Sequence, residues 1–301
     1  MRAAGGLEIH AAAGVSWGIG DELPALRELV REACGQSVRR VNRLIQLALI
    51  GAVRCARAGT LDADCGLYLA SGQGALQDSV DCFVQMFVDG QPPKPISFVN
   101  TLSNTVCFYI AKLLELSGRN QFVSSSALPF ESALSLALLD FQRGVVPQAL
   151  VGGVDECVLP LADHRKRLRT AADAPLGEGS HWLLLGRGAA SPPLGRLVDV
   201  REFAGASGLA RWLDGLAMEG PPWQLSFGAG IEPPDRAWLE SSLPGLAPFE
   251  YAPRSAYYET VTAAGLCAFL GAEGGPATLL HLNASRDGRF AACIVQRTRG
   301  A

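Results

Sequence analysis

Three adjacent serines, Ser124, Ser125 and Ser126, lead into what reads as a strand, a tight turn and a helix, and the residue at the tip of that turn is Ala127. A thiol or hydroxyl at such a tip would sit at the positive end of a helix dipole, where a thiolate or oxyanion is favoured, so the position suits acyl transfer. Alanine supplies no nucleophile. Ser126 next to it can be considered an acyl acceptor for a hydrolase or acyltransferase, but no Gly-x-Ser-x-Gly frame surrounds it, and polar satisfaction of the turn is the competing reading. Cys107 lies inside an apolar run and reads as core before it reads as a reactive thiol. His10, His164, His181 and His281 lack metal-ligand spacing and read as surface or hydrogen-bonded strand residues. Asp155 and Glu156 offer either a base or structural carboxylates that bind backbone donors.

A strand-helix alternation carries these groups. Within residues 118–153 a strand, the turn, an amphipathic helix and a buried strand follow one another; Leu134, Leu138 and Phe141 form one apolar stripe and Gly144 is the helix stop. Upstream, Leu7–His10 reads as a short strand entering a glycine-rich turn at 14–21, and 37–57 as a long buried helix capped by Ser37. Gly66–Gly74 is a strand whose glycine turn hands over to a helix at about Leu76–Val88. Its Gly-x-Gly falls short of a phosphate-binding motif and reads as turn geometry. After the proline break at 91–95, residues 96–104 form an irregular approach to a buried helix at Thr105–Leu116. This alternation over 60–155 predicts a largely parallel sheet covered on both faces. Downstream, a basic surface run at 163–169 and a loop are followed by strands at 181–186, 196–203 and 223–227. Helices fall at 209–218, 234–243 and 259–270, and the end reads as a hairpin of 277–283 with 289–296. The second half repeats the order of the first more loosely, so two related halves are expected, residues 1–157 and 158–301.

Composition narrows the classes. Of 301 residues, 49% are hydrophobic and only 18% charged, which suits covered sheets and a large subunit interface. A net charge of -3 gives no electrostatic case for nucleic acid. The eight cysteines form no C-x-x-C pair and read as reduced thiols. No apolar run reaches the roughly 18 residues of a membrane span, and the opening residues lack a signal h-region, so a cytoplasmic location is expected.

Taken together, these spacings resemble the β-ketoacyl synthase branch of the thiolase-like family. In that family the reactive cysteine stands at a strand-helix elbow, with a glycine seventeen residues on and a Gly-Gly pair eight beyond that. Gly144 and Gly152-Gly153 match, which places Ala127 at the cysteine position. Asn104 before an apolar helix, Gly118 before the elbow strand, and Leu176–Leu185 as the Gly-Glu-Gly turn and its strand match as well. The family's His-Gly-Thr-Gly loop looks like Phe227–Gly230, so Phe227 replaces the first histidine. Its lysine and second histidine become Arg254 and Glu259, and its late Gly-Phe-Gly-Gly gate looks like Asn283–Phe290. The resemblance implies an α/β thiolase-like fold of two related halves in a layered αβαβα architecture, with a degenerate elbow in the first.

Condensation requires a thiolate to hold the acyl chain and neutral imidazoles to support the enolate. Ala127, Phe227 and Glu259 supply neither. The resemblance therefore implies a chain length factor of type II polyketide or aryl-polyene type, non-catalytic by itself and needing no cofactor. Such subunits usually carry Gln at the cysteine position, so Ala127 is a departure. The implied partners are an active ketosynthase, as a heterodimer, and an acyl carrier protein. Met86, Phe98, Phe108 and Phe130 are candidates to line the acyl tunnel, with core packing as the alternative. Arg165, Lys166, Arg167 and Arg169 are candidates to dock the carrier, with a solvated helix face as the alternative. A stand-alone acyltransferase or hydrolase using Ser126 or a cysteine, and a homodimeric acyl-binding or structural module, remain as alternatives.

Overall fold

Two kinds of strand and two kinds of helix build the molecule: strands buried along their whole length, such as Gly66–Ser71 and Gln148–Asp155, and partly covered ones, such as Asn120–Ser124 and Gly195–Phe203, with helices that are either amphipathic or apolar nearly all round. A computed structural model describes residues 6–20, 23–125, 127–169, 175–187, 192–251 and 256–298. The first set of elements is β1 (Leu7–Gly18), α1 (Arg27–Cys34), α2 (Arg43–Arg57), β2 (Gly66–Ser71), α3 (Leu76–Phe87), α4 (Pro95–Asn100), α5 (Asn104–Leu113), β3 (Asn120–Ser124), α6 (Pro129–Gln142), β4 (Gln148–Asp155), α7 (Leu161–Leu168) and β5 (Gly177–Gly186). The second is β6 (Gly195–Phe203), α8 (Ala206–Asp214), β7 (Trp223–Phe227), α9 (Pro233–Ser242), β8 (Ala247–Pro248), α10 (Val261–Leu270), β9 (Ala277–Ala284) and β10 (Phe290–Arg297).

The strands join in the order β3-β2-β4-β5-β1-β6-β10-β9-β7-β8. Strands β6–β10 repeat the arrangement of β1–β5. In each set the second strand runs parallel to the third and fourth, and the fifth lies antiparallel between the fourth and the first. Leu7–Ile9 against Gly195–Leu197 joins the sets. The division expected after residue 157 stands ahead of β5, which pairs with β4 and β1; we place the turnover of the repeat between β5 and β6.

Helices α6 and α10 lie between the two sets. Phe130, Leu134 and Phe141 from α6, with Leu266 and Phe269 from α10, share one cluster with Tyr68 and Val151 of the first set and Leu279 and Val295 of the second. A helix covered on nearly all sides has almost no face to leave polar, which is why α10 is apolar apart from Thr262. Leu44, Leu47 and Ile50 of α2 and Val106 and Ile110 of α5 cover the outer face of the first set. Leu209 and Leu213 of α8 and Leu239 of α9 cover that of the second. The order α, β, α, β, α is the layered architecture the sequence led one to expect. No helix among the described residues is long and apolar enough to cross a membrane.

Three local expectations change. Strand β1 continues through the supposed glycine turn, because Gly14 lets the chain lie against β5, where a methyl group would overlap the Ser180 carbonyl. Helix α2 starts at Arg43 and not near Ser37, since Asn42 supplies the cap, its Oδ1 accepting from the Ile45 amide at 2.8 Å. The irregular approach to α5 contains the short helix α4, opened by Pro95 in its first turn.

Candidate functional site

The elbow is set by its prolines and serines. Pro129 opens α6, where a missing N–H is harmless. Ser125 Oγ donates to the Ala127 carbonyl at 2.9 Å and lies 3.2 Å from the Ala127 amide, which donates to it, closing the turn on itself. Leu128 takes the left-handed conformation, φ 52° and ψ 43°, directly before a proline. A branched residue in that region costs about 1–3 kcal/mol and persists only where the surroundings impose it. Strained strand-to-helix turns of this kind are where nucleophile elbows expose their reactive residue. The backbone thus puts the strain one residue after the position reached by counting from the glycines, and there too the side chain is inert. Asp140 secures the far end of α6, accepting from the Tyr68 hydroxyl at 2.8 Å and pairing with Arg119 at 3.0 Å. Ser126 lies outside the described residues.

Ala127, Leu128 and Pro129 line a cavity of about 270 Å³ together with Gly230, Tyr257, Glu259, Asn283 and Arg286. Two separated stretches singled out in the sequence, the elbow and Glu259, therefore meet, and the loop after β7 joins them through Ala229 and Gly230. Glu259 is packed on the turn after β2: Gly72 has no side chain because a methyl group would overlap the Glu259 carboxyl. Burial, then the nearby Asp155, push the Glu259 carboxyl up to about 7, while a hydrogen bond with Gln73 and the Arg286 cation act the other way. Asp155 Oδ1 accepts from Ser71 Oγ at 2.9 Å and the Gly72 amide at 2.8 Å, and its Oδ2 from the Thr260 amide at 2.7 Å. Burial raises Asp155 as well. Three donors stabilise a charge there, so the proton of the pair resides on Glu259.

Phe227 is not among the residues lining this cavity. It ends β7 and packs with the outer helices, the Arg236 guanidinium 5.0 Å above its ring. What faces inward is Ser226, whose hydroxyl is 2.8 Å from His281 Nδ1. His281 Nε2 is 3.3 Å from Thr262 Oγ1, and Thr262 and the Asn283 amide both donate to Glu131 Oε1, at 2.8 and 2.7 Å. Asn283 Oδ1 in turn accepts from the Gly230 amide at 3.2 Å, holding the cavity loop. Burial drives His281 down to about 3 and so keeps it neutral; burial also raises the Glu131 carboxyl against its two donors. Sequence reasoning missed this network. One signal was present, Glu131 in the first turn of an amphipathic helix beside its apolar stripe, a carboxylate that can be buried only with partners.

The remaining candidates are dispersed. Arg254 lies outside the described residues. Phe130 is fully buried in the central layer, whereas Met86, Phe98 and Phe108 stand exposed on α3, α4 and α5. Arg165, Lys166, Arg167 and Arg169 form α7 and its end; Lys166 pairs with Asp163 at 3.1 Å, and the carbonyl of Leu168, which lines the cavity, accepts from Arg286. Cys107 is core, its thiol pushed up to about 12 by burial. His281 on β9 and His181 on β5, the latter 3.1 Å from the Tyr258 hydroxyl, are the hydrogen-bonded strand histidines of one reading, while His10 and His164 are buried and not on the surface. Glu156 has no backbone clamp like that of Asp155, accepting only a long bond from the Gln77 amide at 3.4 Å, and burial lifts it to about 8. Among the described residues no cluster of His, Cys, Asp and Glu is arranged to hold a metal.

No protein-family model and no curated protein matches the chain. Solved structures do. The ishigamide ketosynthase/chain length factor superposes with a TM-score of 0.74 at 20% identity, over 98% of this chain and 100% of that one. A β-ketoacyl synthase from Burkholderia phymatum gives 0.74 at 14% identity, with the same coverage of both chains. A type II PKS acyl-carrier protein in complex with its ketosynthase bound to the hexaketide gives 0.73 at 12%, again over 98% and 100%. The chain has the thiolase-like fold of the ketosynthases.

Proposed function

We propose that this chain is the partner, non-catalytic in condensation, of an active β-ketoacyl-acyl-carrier-protein synthase, a chain length factor that shapes the acyl tunnel of the pair. The observation that carries the reading is the cavity at the elbow, whose lining is Ala127, Leu128 and Glu259 where a condensing enzyme needs a thiolate and neutral imidazoles. A methyl and an isobutyl group hold no thioester, and a carboxylate that is half ionised near pH 7 opposes a developing enolate.

A second observation supports pairing. Phe83, Val84, Met86, Phe87 and Val88 of the α3 region, Ile96, Phe98, Val99 and Leu102 around α4, and Phe108 of α5 are all exposed, on helices that pack in series, α3 on α4, α4 on α5 and α5 on the edge strand β3. A patch of that extent on a soluble chain marks an interaction surface. In this reading Met86, Phe98 and Phe108 are covered on pairing and border the tunnel at the interface, and Phe130 supports the elbow from the core. The basic residues Arg165, Lys166, Arg167 and Arg169 serve an acidic carrier protein. Co-expression with the candidate synthase should give a stable 1:1 complex on size exclusion. A monodisperse monomer indifferent to that synthase would overturn the proposal, and a homodimer with the same indifference would replace it with a self-paired module.

A further inference from the structure

We propose that the elbow cavity is a hydrolytic site for short acyl thioesters, in which Glu259 takes a proton from water. The thioester as substrate rests on the pairing reading; the cavity, the base and the cation beside it do not. Ala127 leaves open the space a nucleophilic side chain would fill, so that a water and a short acyl group fit together in the 270 Å³ lined by Leu128, Glu259, Asn283 and Arg286. Glu259 is fixed there by Gly72 and Gln73, and with a proton affinity at about 7 it can take up and return a proton at neutral pH. The charged and titratable groups around it are Asp155 at the end of β4, Arg286 on the turn between β9 and β10, Tyr257, and Glu232 ahead of α9. Negative charge developing on a carbonyl oxygen would find the Arg286 guanidinium and the N-terminus of the fourteen-residue α6.

The step balances without any further reactant. Water oxygen bonds to the thioester carbonyl carbon as its proton passes to Glu259. The tetrahedral oxyanion collapses, the C–S bond breaks, and the departing thiolate takes the proton back from Glu259. A carboxylic acid and a thiol result. A subunit with this activity would clear stalled or wrongly loaded acyl groups from its complex.

The test is release of thiol from acetyl- and hexanoyl-N-acetylcysteamine, followed by chromatography, with the full chain alone and in complex with its synthase partner. Turnover above buffer, rising with pH through a single ionisation near neutrality, is expected. Glu259→Gln should reduce it about a hundredfold and abolish that pH limb. Ala127→Val, which fills the cavity without touching the carboxyl, should reduce it similarly and keeps the test open if Glu259→Gln does not fold. No release by the folded chain in either state, or release that survives both substitutions, overturns the proposal. Pairing is read separately by size exclusion: a complex without hydrolysis removes this proposal alone, and hydrolysis without a complex keeps the site while removing the carrier-bound substrate.

Discussion

The two ends of the sheet are treated in opposite ways. At one end β3 is a five-residue edge strand packed on α5, which packs on α4 and α4 on α3, and these helices carry exposed aromatic and aliphatic side chains. At the other end β8 has two residues, Ala247 and Pro248, and the nearby surface is charged: Arg236 pairs with Glu240 at 2.9 Å and Glu250 at 3.0 Å. Among the described residues no exposed large hydrophobic side chain lies beyond Leu194. Short strands, proline and charge are the ordinary means of keeping a sheet edge from pairing. A repeated strand order has thus been kept while its two edges carry opposite surfaces, and the proposed pairing uses the apolar one.

The comparison is broken most directly at the apolar end. Phe98→Asp is expected to weaken the complex at least about a hundredfold by titration calorimetry, the scale of an interface hot spot, with the melting temperature of the isolated chain almost unchanged. Ala247→Asp at the opposite edge should leave affinity as it was. Equal loss from both substitutions would refute the division of labour.

The elbow gives the next largest effect. If Leu128 occupies the strained tip, Leu128→Cys should create a thiol at the helix N-terminus that alkylates with iodoacetamide about tenfold faster at pH 7 than Ala127→Cys, measured by mass spectrometry at the site. The reverse order would restore the position obtained by counting from Gly144.

The halves also differ in what titrates at their strand ends. In the first half the buried clamp is Ser71 with Asp155, and Glu259 beside it has its carboxyl lifted from 4.5 to about 7. The folded state holds that proton more tightly, so the stability is complete below pH 4.5 and is lost as pH rises through about 7. In the second half the clamp is Ser226 with His281, lowered from 6.5 to about 3, and its contribution is present above 6.5 and lost as pH falls toward 3. The two slopes oppose one another between 4.5 and 6.5. Relative to the unsubstituted chain, Glu259→Gln should make the melting temperature rise more steeply with pH across this window, and His281→Asn less steeply; thermal unfolding of all three followed across the window tests both.

The smallest effect is expected at α7. Arg167→Glu should weaken carrier protein binding only a few-fold, and only at low salt, because an exposed charge acts through a screened field. Affinity unchanged at low ionic strength would remove this helix from the docking surface.

The local sequence determined much of this molecule. Short apolar runs, the stripe on α6 and glycine stops place β2, α6, β4 and the β9–β10 hairpin, because periodicity and turn chemistry act over a few residues, and the resemblance in spacing from Ala127 through Gly144 to Gly152 marks the elbow. Asp155 as a carboxylate holding backbone donors was one of the readings open there. Only the tertiary structure decided the rest. That Ala127 and Glu259 share a cavity, and that Phe227 turns away while Ser226 faces His281 in a network with Thr262, Asn283 and Glu131, depend on contacts between residues 19 to 152 apart. Continuation of β1 through Gly14 likewise depends on β5, far along the chain. Packing across such distances sets which polar groups can be buried together, and no local pattern records it.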